Sequence, residues 1–152
     1  MRREIKENIL MIIIGIAFFL NIIVIILSPP TIKKLVIAGY AILGIGAFFF
    51  ILSVFTILRK DTGNIVDSGI YGIVRHPMYL GAMLMFFSHI FLGQNWIVTI
   101  STVIAIVCCY LCIQFGDQRN IEKFDDNYKR YMQKVPRTNF LLGIIRLIQS
   151  KK

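Results

Sequence analysis

Near its start the sequence reads ILMIIIGIAFFLNIIVIIL, residues 9–27, in which Asn21 is the single polar side chain. As a helix these residues would extend about 28 Å, close to the thickness of a bilayer's hydrocarbon core. A second block, residues 35–58, is longer and carries no charge. Both blocks exceed the roughly 18 apolar residues that indicate a membrane-spanning helix. The sequence therefore predicts an integral membrane protein.

A cleaved signal peptide is the alternative for the first block, because it too begins with charged residues and continues as an apolar run. The block at 9–27 is longer than the usual apolar region of about 7–15 residues. No small-residue cleavage pattern follows it, and Pro29 and Pro30 end it. We interpret it as a retained span.

Two further apolar blocks, 76–92 and 95–115, are separated only by the turn-forming residues Gly93, Gln94 and Asn95. They predict an antiparallel helical hairpin whose first span is short. The expected fold is all-α, with about four transmembrane helices and one domain over residues 1–152. The predicted spans are 9–27, 35–58, 76–92 and 95–115, followed by a helical tail at 116–152.

The positions of lysine and arginine support an even number of spans. With the N-terminus in the cytoplasm, fifteen of the 17 basic residues lie on the cytoplasmic side, nine of them in the tail. Only Lys33 and Lys34 lie on the other side, as the positive-inside rule requires. We expect both termini in the cytoplasm of a prokaryotic cell, with the protein in the plasma membrane. The net charge of +9 then indicates contact with anionic lipid and not with nucleic acid.

Several smaller features complete the predicted scaffold. Glycines in the second span, at 39, 44 and 46, are expected to let helices approach closely. The three cysteines are interpreted as small packing residues, with no metal site. Residues 61–68 form a polar linker. The apolar stretch 140–148, followed by two lysines, is expected to lie in the membrane interface. The residues of these features are Gly39, Gly44 and Gly46 in the second span, Cys108, Cys109 and Cys112 in the fourth span, Asp61 at the start of the linker, and Lys151 and Lys152 after the apolar stretch.

Polar residues gather at one membrane boundary, directly before the third span. Pro77 suits the first turn of a helix, so Arg75 and His76 would lie beside its unpaired N–H groups, where anions bind. A basic and aromatic interface belt, with Tyr71 and Tyr79, is the alternative explanation. The fourth span ends on a second polar cluster at Asp117. The hairpin returns both clusters to the same membrane face, so we expect them to meet.

The two clusters carry a resemblance to a known superfamily. The run Arg75-His76-Pro77-Met78-Tyr79-Leu80-Gly81 resembles the RHPxYxG motif of the isoprenylcysteine carboxyl methyltransferase and phospholipid methyltransferase superfamily. Residues 120–137 resemble its second block, in which an acidic pair is followed by FGxxYxxY and VPR. The resemblance covers roughly residues 68–140, about half of the chain.

This resemblance implies a methyltransferase that uses S-adenosylmethionine at the cytoplasmic face, on a lipophilic or membrane-borne acceptor. It implies that the tail residues Tyr128, Tyr131 and Arg137 fold over the pocket. The acceptor would be an isoprenylcysteine-like carboxylate or a phospholipid amine. The implied catalytic residues are His76 and Asp117, and the implied cofactor-binding residues are Arg75, His76, Pro77, Tyr79, Leu80, Gly81 and Asp117. An amine acceptor must lose a proton, which His76 or Asp117 could take.

The chain departs from the superfamily pattern at three places. Gly116 and Asp117 stand where two adjacent glutamates are usual, and Asp125 stands where a glycine is expected. Ile113 and Gln114 replace an arginine of the isoprenylcysteine members, which counts against a prenylcysteine carboxylate as acceptor.

Two other functions remain open on sequence alone. One is an NADPH-dependent membrane reductase of similar helical architecture, and the other is a non-catalytic protein that docks anionic lipid. His89 lies within the third span, where an ionisable residue is a functional candidate. We favour a neutral histidine that is hydrogen-bonded to a neighbouring helix. The sequence leaves the oligomeric state undetermined.

Overall fold

The computed structural model describes residues 2–60 and 63–149 of the 152-residue chain. The start of the predicted linker at Asp61 and the tail lysines Lys151 and Lys152 lie outside the described residues. The described part contains no strand and folds into five α-helices and a short 3-10 helix. The helices are α1 (Arg3–Leu27), α2 (Lys33–Leu58), α3 (Pro77–Gly93), α4 (Trp96–Lys134) and α5 (Phe140–Gln149), and the 3-10 helix is Gly69–Gly72.

The helices confirm an all-α fold suited to the membrane. Three of them, α1, α2 and α4, are long and apolar enough to cross a bilayer. The third predicted span, α3, is apolar but has only 17 residues, about 26 Å of helix, so it is the short member of the hairpin. Large apolar side chains cover the outside of α1 and α2, as at Phe19 and Ile37, which are 68% and 72% exposed. Such a surface is typical of helices that face lipid.

The turn between α3 and α4 forms as the sequence predicts. Gln94 ends α3 in a left-handed conformation, and Asn95 caps α4 by accepting a hydrogen bond from the Ile97 N–H at 2.8 Å. The Gln94 side chain also bonds both the N–H and the carbonyl of Ile32, at 2.7 and 2.9 Å. The two loops at this end of the molecule are thereby joined. The first loop connects α1 with α2, so α1, α2, α3 and α4 all extend from this end of the molecule towards the opposite end.

Ion pairs mark that opposite end. Arg3 at the start of α1 pairs with Glu122, and Glu7 pairs with Arg119 on the later part of α4. The beginning of α1 therefore lies beside the charged half of α4. This arrangement places most of the basic residues at one end of the bundle, as the charge distribution predicts.

Two glycines allow α2 and α3 to approach closely. A methyl group on Gly46 would come within 2.8 Å of the Met85 backbone nitrogen, and one on Gly81 within 2.6 Å of the Phe50 nitrogen. Gly39 similarly faces Leu92. The expectation for Gly44 is wrong, because nothing lies within 4 Å of the place where its side chain would be. Gly44 is on the part of α2 that faces away from α3.

A polar network connects three helices inside the bundle. The Asn21 amide on α1 donates to the Thr102 hydroxyl on α4 at 3.1 Å and lies 3.3 Å from Nδ1 of His89 on α3. All three side chains are buried. His89 is thus bonded to a neighbouring helix, in agreement with the structural interpretation of this residue. The three cysteines are free and buried in α4, as packing residues would be.

The long helix α4 is broken at one residue. Asp125 has φ 46° and ψ −124°, a backbone conformation that favours glycine. Its side chain is 79% exposed and pairs with Lys129 at 3.0 Å. Asp125 occupies the position at which the resembled motif has glycine, so the backbone retains the glycine geometry without the glycine. The break redirects residues 126–134 across the end of the bundle.

The last helix, α5, begins at Phe140 and is capped by Asn139, whose side chain accepts a hydrogen bond from the Leu142 N–H at 3.0 Å. Phe140 packs edge-to-face on Phe49 of α2, with ring centroids 5.0 Å apart. Gly143 lies against the Ile73 carbonyl, with no room for a side chain. The opposite face of α5 exposes Leu141, Ile145 and Ile148. Its location in the membrane interface stays a prediction.

The glycine contact between α2 and α3 yields a first prediction. Gly46→Ala is expected to lower the free energy of unfolding by about 1–3 kcal/mol, because the added methyl overpacks the helix contact. Gly44→Ala, two residues away on the same helix, is the matched control. It should be neutral or stabilise by up to about 1 kcal/mol, since alanine favours helix. Thermal unfolding in detergent micelles measures both, and equal effects would contradict the close approach.

The strained backbone at Asp125 yields a second prediction. Asp125→Gly and Asp125→Ala both remove the exposed ion pair, but only glycine relieves the positive φ. The glycine variant is expected to be more stable than the alanine variant by about 1 kcal/mol or more. The same unfolding assay compares them. If alanine were the more stable of the two, α4 would have to continue through residue 125 without a break.

Candidate functional site

One buried carboxylate organises the charged end of the bundle. Asp117 is 3% exposed and accepts hydrogen bonds from four side chains. Its Oδ1 lies 3.0 Å from Arg75 Nη1, 2.7 Å from His76 Nε2 and 2.8 Å from the Tyr128 hydroxyl. Its Oδ2 accepts from Arg137 Nε at 2.9 Å. The four partners come from the segment before α3, from the later part of α4 and from the tail.

Main-chain hydrogen bonds hold two of these segments together. The N–H groups of Arg75 and His76 donate to the carbonyls of Pro136 and Arg137, at 3.0 and 3.2 Å. His76 is the N-cap residue of α3, and Pro77 occupies the first turn. Backbone N–H groups of a first turn have no partner within the helix, so the missing N–H of the proline costs nothing. The start of α3 is therefore fixed against the tail by backbone as well as by side chains.

Tyrosines of the redirected part of α4 form a roof over this end. The Tyr131 hydroxyl donates to the Tyr71 carbonyl at 2.6 Å, and the ring centroids of Tyr128 and Tyr131 are 5.6 Å apart. Both rings pack with Val135 in a buried apolar cluster. The tail thus folds over the site in the way that the sequence resemblance implies for Tyr128, Tyr131 and Arg137.

The protonation of Asp117 decides what it can do. Burial alone would raise the pKa of its carboxyl, but the hydrogen bonds from His76 and Tyr128 and the nearby charges outweigh burial and lower the pKa to about 2. An ionised carboxylate only accepts hydrogen bonds, so His76 Nε2 must carry a proton. The remaining ring nitrogen, Nδ1, is then the atom of His76 that could accept a proton.

A cavity of about 350 Å³ lies between the start of α3, the charged half of α4 and the roof. Its volume falls within the roughly 300–1,000 Å³ typical of small-molecule sites. Aromatic rings and three cations dominate its lining, together with two asparagines, Asn64 and Asn120. The rings are Tyr71, Tyr79, Phe124, Tyr128 and Tyr131, and the cations are Arg75, Arg119 and Lys123.

The sequence-predicted site residues divide into two groups. Arg75, His76 and Tyr79 line the cavity. Asp117 lies behind Arg75 and His76, and all four of its hydrogen bonds go to side chains of the protein. Gly81 faces α2, as described above. The residues predicted to bind the cofactor that are not part of the described lining are Pro77, Leu80, Gly81 and Asp117.

Sequence reasoning missed the contribution of α4 beyond Asp117. Gly116, Arg119, Asn120 and Lys123 all line the cavity, and their spacing of three or four residues places them on one helix face. This periodicity was visible in the sequence. A second missed feature is the Nε of Arg75, which is buried and has no hydrogen-bond partner.

The buried carboxylate yields a third prediction. Asp117→Asn leaves Arg75 buried without a countercharge and is expected to lower the free energy of unfolding by about 3–5 kcal/mol at neutral pH. Because the folded-state pKa of Asp117 is lower than its ordinary 3.8, the unfolded chain takes up the proton first as the pH falls. The stability gap between parent and variant should therefore persist down to about pH 4 and narrow towards pH 2.

Thermal unfolding in an acid-stable detergent measures this gap. Asp126→Asn is the matched control, since that exposed carboxylate lies on the same helix and should cost less than about 1 kcal/mol. A gap that closes near neutral pH would show that Asp117 titrates there and is not held ionised.

Comparison with known proteins identifies the family of this chain. A model of the phospholipid methyltransferase family matches residues 9–124, which is more than half of the chain and includes both helix segments that wall the cavity. Comparison with curated proteins and with solved structures finds no significant match. The roof residues after 124 lie outside the matched region. The chain belongs to the phospholipid methyltransferase family and is a membrane methyltransferase.

Proposed function

We propose that the protein transfers a methyl group from S-adenosylmethionine to the amine of a membrane phospholipid, in the cavity at the charged end of the bundle. One observation carries this proposal. The arginine–histidine segment before α3 and the α4 segment at residues 116–124 wall a single cavity, and they are tied together through Asp117. Both segments belong to the part of the chain that matches the family.

The side chains of the cavity suit the cofactor. A sulfonium is a cation, and the faces of Tyr79, Phe124 and Tyr131 can hold it without competing as nucleophiles. Arg75, which lines the cavity, could donate to the cofactor's carboxylate. Asn64 and Asn120 offer amides to polar groups of a nucleoside. When bound, S-adenosylmethionine would supply an activated methyl group.

The protein's own residues would supply position and proton removal. An ammonium has no lone pair, so the acceptor amine must lose a proton before its nitrogen bonds the methyl carbon and the carbon–sulfur bond breaks. His76 Nδ1 is the proton acceptor that we assign. Asp117, with a pKa near 2, is too weak a base and is assigned the role of holding Arg75 and His76 in place. The tyrosine roof would exclude water.

The family and the charge distribution together favour a cytoplasmic site. The cavity lies at the end of the bundle where the first residues of α1 meet the charged half of α4. The positive-inside rule assigns that end to the cytoplasm. A phospholipid of the inner leaflet could then present its headgroup to the cavity while its acyl chains remain in the bilayer.

Two variants, one control variant and two ligands test the proposal. S-adenosylmethionine is expected to raise the melting temperature of the detergent-purified protein, and NADPH is not. Tyr79→Ala should weaken S-adenosylmethionine binding about two- to thirty-fold through loss of a cation–π contact. Tyr40→Ala is the matched control, since Tyr40 is exposed on α2 and remote from the cavity. His76→Ala should slow radiolabelled methyl transfer into phosphatidylethanolamine vesicles about 100-fold or more.

Stabilisation by NADPH alone would favour the reductase alternative. An unchanged rate of methyl transfer in His76→Ala would contradict the assignment of His76 as the proton acceptor.

A further inference from the structure

The last helix, α5, presents an apolar face away from the rest of the protein. Leu141, Ile145 and Ile148 are three or four residues apart, so they share one side of the helix, and they are 73%, 51% and 57% exposed. We call these three residues the outer face of α5. Gly143 lies on the opposite side, against the Ile73 carbonyl. The helix is therefore packed on the protein along one side only.

The polar side chains of α5 are directed away from its outer face. Arg146 is the single charged residue of the helix, and its Nη1 donates to the Gln133 carbonyl at the end of α4, at 3.1 Å. Arg146 and Gln149 also line a second cavity, of about 470 Å³, together with Lys134 of α4. The polar side of α5 thus faces the charged end of the bundle. A helix with one polar and one apolar side is typical of segments that lie in a membrane surface.

The contact between α5 and α2 gives the depth of α5 in the membrane. Phe140, at the start of α5, packs on Phe49, whose neighbour Phe48 is exposed on the lipid-facing surface of α2. Phe49 lies about 13 Å along the helix from Leu58, the last residue of α2. With 26 residues α2 is about 39 Å long, which exceeds a hydrocarbon core of roughly 30 Å by about 9 Å. Even if all of this excess lay at the charged end, Phe49 and the start of α5 would be at the depth of the acyl chains.

We propose that the outer face of α5 inserts among the acyl chains of the leaflet at the charged end of the bundle, and that this insertion holds the segment of Arg75 and His76 in place. Acyl chains suit this face because it carries no charge, begins at their depth and continues the exposed apolar surface of α2. The inference concerns the position of the helix and is independent of the reaction.

Backbone contacts connect α5 with the segment before α3. Gly143 packs on the Ile73 carbonyl without room for a side chain, and Ile73 is two residues before Arg75. The N–H groups of Arg75 and His76 donate to two carbonyls of the tail just before α5, at 3.0 and 3.2 Å. Displacement of α5 from the leaflet would therefore loosen the segment through both connections.

Fluorescence quenching tests the insertion. Trp96 is the single tryptophan of the chain, so Trp96→Phe gives a background without tryptophan. Ile145→Trp then reports on the outer face, and Asn127→Trp, at an exposed position in the redirected part of α4, is the matched control. The protein is reconstituted in phosphatidylcholine vesicles whose acyl chains carry bromine. The brominated chains are expected to quench Ile145→Trp about two-fold or more and to leave Asn127→Trp nearly unchanged.

Amide hydrogen exchange in the same vesicles tests the connection to the segment before α3. Leu141→Gln with Ile145→Gln makes the outer face polar and leaves the contact with Ile73 intact. Exchange of the Arg75 and His76 amides is expected to become about ten-fold faster or more, because the tail opens more often.

The matched control is Phe55→Gln with Leu58→Gln, which makes two exposed positions of α2 polar at the same end of the molecule. It should leave exchange of the Arg75 and His76 amides unchanged. Slow exchange around Asn21 shows that the bundle remains folded in both double variants. Ile145→Gln alone is the milder second variant and should act in the same direction as the first.

Three outcomes would overturn the inference. Equal quenching of Ile145→Trp and Asn127→Trp would show that the outer face is not among acyl chains. Quenching that weakens as more protein is packed into each vesicle would show that a second copy of this chain covers the face. Strong quenching of Ile145→Trp, with unchanged exchange of the Arg75 and His76 amides in the outer-face variants, would show an inserted helix that does not hold the segment. Neither measurement involves methyl transfer, so failure of the proposed function would be recognised separately.

Discussion

The carboxylate of Asp117 connects every part of the charged end of this protein. It accepts from Arg75 and His76 before α3, from Tyr128 in the redirected part of α4, and from Arg137 in the tail. Such a charge is tolerated in a buried place only with donors on both oxygens. Four donors from three segments satisfy the two oxygens of Asp117. Hydrogen bonding to this one carboxylate therefore fixes the relative positions of all three segments. The cavity lies between the segments that Asp117 holds in place and the tyrosine roof.

The membrane environment explains why a chain of this length can fold with its charged residues gathered at one end. Its apolar helices need no water-excluding core, since lipid covers α1 and α2, and close contact through Gly46 and Gly81 together with the Asn21 network holds the bundle. The polar residues that a soluble protein would spread over its surface are concentrated at one end. That concentration produces the paired charges around Asp117.

Much of the fold could be predicted from the sequence, because length and hydrophobicity determine membrane helices. The tight turn at residues 93–95 required His76 and Asp117 to return to the same end, and they lie 2.7 Å apart. Packing details could not be predicted in the same way. Gly44 and Gly46 look alike in sequence, yet only Gly46 faces α3, because a two-residue step turns a helix by more than half a revolution.

The meeting of the two polar clusters could be predicted from their positions along the chain, but the hydrogen-bond partners within the site could not. Hydrophobicity does not reveal which partner a carboxylate takes, so Asp117 was expected to meet the cofactor although its bonds all go to the protein. The α4 face with Arg119 and Lys123 was encoded in a simple spacing. It was not predicted, because Arg119 and Lys123 are not positions of the resembled motifs.

The structure shows what the departure from the superfamily pattern at residues 116 and 117 does to the charge of the cavity. Where two glutamates are usual, Gly116 has no side chain and Asp117 is committed to Arg75, His76, Tyr128 and Arg137, so neither adds a negative charge to the cavity. Among the described residues no carboxylate lines the cavity, so a sulfonium bound there would be held through aromatic faces, which the five rings around it provide.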